Sequence, residues 1–318
     1  MLKQIRIPFI ITGIAALAIG IVFALQSRTK PPKPTPTTPL TMPASVRSID
    51  HMWGEPAKAM FPDIERPVYV GAKEADLFLR NDDPVMDVVY GQTHYIYPIN
   101  ILSFHHIVND TIDGKPVAVT FCLLSDSALV FSRQIGDTIL DLGVLGPLYF
   151  GNLVMYDKKT DSYIIQMTGE IFHGPLSGKT LRIEAEPAIV AWKYAKEGNV
   201  KVLSPAKPIA FYRDFYDTRK SSQMGLQSLT QKGGKPDARL DPYIKGIGLT
   251  SGGETAFIPV QQVKEKRAVS LVVGSQKVMV SDDTQSGSIT VTGGTRLAYT
   301  PAYWFSWSAF YPQTKIVE

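Results

Sequence analysis

His105, His106 and Cys122 form the one local group in this chain with soft-metal or nucleophilic potential. With 1 cysteine in 318 residues, a disulfide scaffold and a cysteine-rich zinc module are both excluded. One imidazole and one thiolate make two ligands, whereas zinc and copper sites take three or four from protein. A metal site on His105 and Cys122 therefore needs a further donor, and His94 or His173 would have to come from elsewhere in the fold. If residues 105–108 are a strand, His105 and His106 point to opposite faces, and only one of them can look toward the thiol. The ordinary reading of an unpaired cysteine is a small buried hydrophobe.

Asn109, Asp110, Asp113 and Gly114 are expected in one hairpin loop, where Asn and Asp bond nearby backbone and Gly supplies positive φ. Turn chemistry accounts for them without a catalytic carboxylate pair. Arg133 follows the apolar run Ala128-Leu129-Val130-Phe131 and is expected either to clamp a ligand carboxylate or to pair with Asp110 or Asp157. Asp157, Thr160, Asp161 and Ser162 suit a polar hairpin and lack the spacing of a calcium-binding helix–loop–helix. Gly169, Gly174 and Gly178 are followed by no Gly-Lys-Ser/Thr, so a phosphate cradle is excluded; no Gly-x-Ser-x-Gly or His-Glu-x-x-His occurs either. No motif assigns a cofactor or establishes an enzyme. Trp304, Phe305, Trp307, Phe310 and Tyr311 are expected to fill a core.

The elements that must hold these residues are short. Apolar runs bounded by Gly, Pro, Asn and Asp recur through the body, so the fold class is mainly β, with brief helices at residues 74–80 and 188–197. Residues 104–133 suit three antiparallel strands, with Cys122 near the end of the second. The pattern also repeats. Asp83-Pro84, Tyr90-Gly91 and residues 95–99 set against Asp241-Pro242, Gly252-Gly253 and residues 256–260; residues 117–121 set against 269–273, and 192–204 against 307–318. Two related β-rich lobes are expected, at 62–205 and 206–318, packed together to bury the faces neither covers alone.

The first lobe resembles the DUF3179 family of uncharacterised proteins. The resemblance rests on Ile96-Tyr97-Pro98, on His105 with Ile107-Val108-Asn109-Asp110, and on residues 114–122, 130–133, 152–157, 160–162, 166–169 and 174–178, and it extends loosely to residue 318. It implies an exported or anchored two-part protein and transfers no activity. Members of that family usually carry Cys-Pro-Leu-Cys, which implies thiol redox chemistry or soft-metal binding. Here the stretch is Cys122-Leu123-Leu124-Ser125, so an internal dithiol cannot form. The family's His-Glu pair is His105-His106 here.

Residues 7–25 carry no charge and as a helix would span roughly 28 Å, close to the ~30 Å bilayer core. Residues 1–27 are thus expected to be a transmembrane anchor or a signal, and 28–61 a Pro/Thr-rich linker. Beyond residue 40 the chain has 28 basic and 29 acidic residues, a near-neutral balance that leaves no electrostatic footprint for nucleic acid. The combined expectation is a single-pass protein of the cytoplasmic membrane with an extracytoplasmic body that binds a small ligand or an envelope protein. The alternative is a metal-binding or thiol-linked redox protein centred on Cys122 and His105.

Overall fold

A 3-10 turn, Ile49–His51, opens the part of the chain described by this computed structural model, residues 49–58, 60–294 and 297–317. The expected anchor and the linker up to residue 48 lie outside these residues. Among the described residues no helix is long and apolar enough to cross a membrane.

The fold is mainly β. The first part contains β1 (Met52–Trp53), β2 (Tyr69–Val70), α1 (Ala72–Ala75), β3 (Pro84–Tyr90), β4 (Thr93–Pro98), α2 (Ile99–His105), β5 (Ile107–Ile112), β6 (Lys115–Cys122) and β7 (Ser127–Ser132). A second group follows: β8 (Gln134–Ile135), β9 (Thr138–Ile139), β10 (Leu142–Tyr149), β11 (Asn152–Asp157), β12 (Tyr163–Ile165), β13 (Ile171–His173) and β14 (Ile183–Ala185). The first half then closes with β15 (Ala188–Ala191), α3 (Trp192–Ala195) and β16 (Val200–Leu203). Two helices, α4 (Ile209–Arg219) and α5 (Met224–Gln231), lead to β17 (Lys245–Ser251), β18 (Glu254–Pro259), α6 (Val260–Lys266), β19 (Ala268–Val273), β20 (Gln276–Asp283) and β21 (Ser288–Thr292). The chain ends with β22 (Ala298–Tyr303), α7 (Trp304–Phe310) and β23 (Lys315–Ile316).

One order of elements occurs twice, with equal lengths from β3 to β6 and from β17 to β20. The sheet β15-β3-β4-β16-β2 has its counterpart in β22-β17-β18-β23, and in each the last crossover is parallel, β16 on β4 and β23 on β18. Pro98 and Pro259 start α2 and α6 with φ of −59° and −58°, the value the pyrrolidine ring imposes. His106 and Arg267 end those helices in the left-handed region, at 60° and 66°. The start of the short C-terminal helix is also copied: Trp192 N–H donates to the Asp83 carbonyl and Trp304 N–H to that of Ile244, both at 2.9 Å.

This geometry shifts the sequence correspondences. Residues 269–273 match β5, one strand earlier than expected; Trp192 matches Trp304, not Trp307; Asp83 matches Ile244, not Asp241. Successive β-branched runs look alike in composition, and Trp304 and Trp307 are interchangeable to a pattern that sees only residue type. Helix boundaries shift as well. The segment expected as helix at 188–197 begins as strand β15, and the one at 74–80 is confined to Ala72–Ala75.

The group β10 to β14 breaks the symmetry. In the β14-β7-β6-β5 sheet, Ile107, Ala118, Cys122, Leu129 and Phe131 pack against Leu153, Val154 and Ile164 of the five-stranded sheet β1-β10-β11-β12-β13. Among the described residues the matching β19-β20-β21 sheet has no such cover, and it shows Ser270, Val272 and Met279 to solvent. The same core cluster takes in Phe257, Trp304, Phe305, Trp307 and Phe310 from beyond residue 206. Each of these large aromatic side chains contributes about 2 to 3 kcal/mol by leaving water.

Candidate functional site

The two histidines sit at the end of a helix and not in a strand. His105 is the last residue of α2, and His106 is its left-handed cap. The correction follows from Pro98: a residue that opens a helix immediately before the apolar stretch at 99–104 makes helix the continuation, and the chain must then reverse at His106 to enter β5. His105 Nε2 lies 3.0 Å from the Tyr212 hydroxyl, its Nδ1 contacts the Pro62 carbonyl, and burial holds its pKa below the usual imidazole value. His106 Nδ1 lies 3.0 Å from the carbonyl of Phe121, and burial pushes its pKa down to about 4.

Cys122 faces the other way. It ends β6 one residue after Phe121, so strand alternation sends the two side chains into different cores. The thiol is 2% exposed, and burial pushes its pKa up. It contacts the Ser125 hydroxyl and the backbone of Ser125, Leu153 and Leu124, and its S–H reaches toward the Gly151 carbonyl at 4.0 Å. His105 and Cys122 share no partner among the described residues, so the structure does not bring together the pair proposed as metal ligands.

Of the polar residues around Cys122 the sequence had singled out only Ser125, at the place of the family's second cysteine. Ser125 Oγ and Ser127 Oγ are 3.0 Å apart; Asn152 Nδ2 donates to both and to Gln166 Oε1, at 2.9, 3.0 and 2.9 Å. Gln166 Nε2 donates to Thr120 Oγ1 at 3.1 Å, and Met167 N–H donates to Asn152 Oδ1 at 2.8 Å. All of these side chains are buried, so each unmade bond would cost a full desolvation, and the set is closed on itself. The available signal was an amide inside each apolar run, Asn152 ahead of Leu153-Val154-Met155 and Gln166 after Ile164-Ile165. In the second half Asp283 takes the place of Cys122. Its carboxylate accepts from Gln285 N–H at 2.9 Å and Ser286 Oγ at 2.6 Å, and Ser286 contacts Ser288 at 2.8 Å as Ser125 contacts Ser127. The thiol thus occupies the position of a turn-capping carboxylate.

Asn109 and Asp110 lie within β5, which runs on to Ile112; only Asp113 and Gly114 make the turn. Both polar residues are buried and positioned by distant partners. Asn109 exchanges bonds with the Leu142 backbone, at 2.7 and 3.1 Å, and donates to Asp63 at 2.9 Å, docking β5 on β10. The Asp110 carboxylate accepts from the hydroxyls of Tyr69 and Tyr97, which are themselves 2.8 Å apart. Among the described residues Arg133 pairs with no carboxylate. Its guanidinium donates to the carbonyls of Val117, Leu140 and Asp110 at 3.0, 2.8 and 3.0 Å, so it ties three backbone segments together.

Asp63, Glu65 and Asp141 converge, but Lys158 Nζ stands among them at 2.9, 2.6 and 3.4 Å and supplies the positive charge a cation would bring. A cleft of about 190 Å³ lies apart from these groups, between Ile49, Phe172 and the segment Ser177–Thr180, with Lys179 on its wall.

The family described as "Protein of unknown function (DUF3179)" matches residues 58–295. No curated protein and no solved structure matches.

Proposed function

Since the chain belongs to the DUF3179 family, whose description carries no activity, we propose a function from the site itself: a binding module without catalytic chemistry of its own, held at the cytoplasmic membrane with its body outside. The observation that carries this reading is the closure around Cys122. The one thiol is 2% exposed, its polar neighbours bond one another, and both ring nitrogens of His105 are engaged elsewhere. The cleft lined by Phe172, Glu170 and Lys179 suits a small ligand with an apolar part and polar groups, and an envelope protein is the other occupant to test. The uncharged stretch at 7–25 supports the tether, and the repeated order of elements supports a duplicated pair of lobes meeting near residues 205 and 206.

Elemental analysis of the full-length protein purified without an affinity tag, with thiol titration before and after denaturation, tests the reading. The expected result is no bound metal, no thiol reacting within seconds in the native protein, and one thiol per chain once unfolded. A stoichiometric metal or a promptly reactive native thiol would overturn it. Protease accessibility in intact cells tests the side of the membrane. The second reading, thiol-linked redox chemistry, draws support from the Ser125 hydroxyl and the backbone groups directed at Sγ, which favour a thiolate once the site is wetted.

A further inference from the structure

The roof over Cys122 is built from neighbouring backbone and one helix end. Gly151 supplies a carbonyl 4.0 Å from Sγ, and Leu124 and Ser125 supply backbone beside it. Onto this layer comes the first turn of α5. A Cβ on Gly225 would stand 2.7 Å from the Phe305 ring and 3.1 Å from the Leu124 carbonyl; one on Gly151 would stand 2.4 Å from Phe305 and 2.7 Å from the Gly225 carbonyl. Two glycines therefore let helix α5, the Phe150–Gly151 turn and Phe305 close tightly over the thiol.

The helix that makes this seal is lightly held. Of its eight residues only Gly225, Ser228 and Leu229 are buried; Leu229 is the one large side chain it places fully in the core, with Leu226 half-buried against the same cluster. The Ser228 hydroxyl bonds within the helix, to the Gly225 carbonyl at 2.7 Å. Gln231 accepts from the Trp53 indole at 2.5 Å, at an exposed position. Ser221-Ser222 precede the helix and Gly233-Gly234 follow it, and Gly233 sits at a φ of 75°. By contrast α4 is clamped by Tyr212 on His105 and by Arg213 on Asp83 at 2.7 Å. A short segment with one fully buried large side chain, flanked by small residues that among the described residues are bonded only to the adjoining turns, opens at lower free energy than the body beneath it.

We propose that α5 is a lid, hinged at 221–222 and 233–234, whose opening independent of global unfolding gives reagents and partners their route to Cys122. Access to the thiol is separate from what the thiol does, so the lid stands or falls independently of the binding-module reading. The test is alkylation of the native full-length protein with iodoacetamide over minutes to hours, compared with its global unfolding rate from denaturant kinetics. The wild-type thiol is expected to react faster than the chain unfolds. Leu229→Ala, which removes the anchor, should speed labelling by about tenfold or more beyond any change in global unfolding. Trp53→Phe, which only frees Gln231, is the milder variant and should speed labelling a few-fold with an unchanged thermal midpoint. Labelling that tracks global unfolding in all three proteins would overturn the lid.

Discussion

Asp110 shows how differently one position can be used in two copies of the same strand pair. With β3 to β6 set on β17 to β20, Asp110 falls on Leu271 and Tyr97 on Ile258. The fold therefore accepts an apolar pair where the first half keeps a buried carboxylate under two phenols. Asp110→Leu removes the acceptor that both phenols share, leaving the fully buried Tyr97 hydroxyl only Tyr69 as partner, and should cost about 2 kcal/mol. Adding Tyr97→Ile should recover roughly half of that loss, read as the shift in urea midpoint; a double variant no more stable than the single one would show that the pair carries more than its own hydrogen bonds. His106 offers a second test at this scale. Its folded pKa of about 4 lies below the value of a free imidazole, so it contributes stability above about pH 6.5 that is lost as pH falls through 4. His106→Asn tolerates the left-handed backbone and keeps a donor for the Phe121 carbonyl, so the melting temperature should fall less between pH 6.5 and 4 than in the wild type. The types of these residues were legible, but their surroundings were not. Asn109 and Asp110 have turn-forming side chains, and only the distant Leu142, Tyr69 and Tyr97 reveal why they lie in a buried strand.

At the scale of elements, the hairpin turns after β5 and β19 put the same backbone in two different settings. Asp113 has φ 49° and Gly274 has φ 57°, so both turns need the left-handed region. The space around them differs. A Cβ on Gly274 would stand 2.6 Å from the Ser251 carbonyl, whereas Asp113 is accommodated as it is. Asp113→Gly should accordingly be neutral or stabilising by up to about 1 kcal/mol, and Gly274→Ala should destabilise by about 2 kcal/mol or more, both measured by chemical denaturation. Strand-rich composition and the repeat itself were legible because alternation and punctuation are local properties. The registers were not, since which strand matches which is decided by backbone bonds such as Trp192 to Asp83 and Trp304 to Ile244. The open face of β19-β20-β21 becomes intelligible only beside its covered counterpart: Ser270 stands where Asn109 is buried, and Ser281 where Thr120 is.

At the scale of the molecule, the shared core predicts cooperative behaviour. Phe257, Trp304 and Phe310 pack in one cluster with Leu129, Phe131 and Leu153, so cleavage between residues 205 and 206 exposes a large apolar surface on both fragments. Tryptophan fluorescence and far-ultraviolet circular dichroism should report coincident unfolding transitions, and separated halves should be insoluble. A titratable contact crosses the same boundary. Glu186, in the link from β14 to β15, is an exposed residue whose carboxyl lies beside Tyr299 of β22, and partial desolvation there raises its pKa to about 7. Unfolded, the carboxyl loses its proton near its ordinary value, so across the interval between the two the folded state holds a proton that the unfolded state has released. That contribution, reduced by the solvent that reaches the exposed residue, is present below about pH 4.5 and is lost as pH rises through 7. Glu186→Gln keeps a neutral group beside Tyr299 and has no proton to lose, so its melting temperature should change less from pH 5.5 to 8 than the wild type's and exceed it at the alkaline end. Parallel pH profiles for the two proteins would mean that water reaches the Glu186 carboxylate and that the contact between the halves is insensitive to its charge.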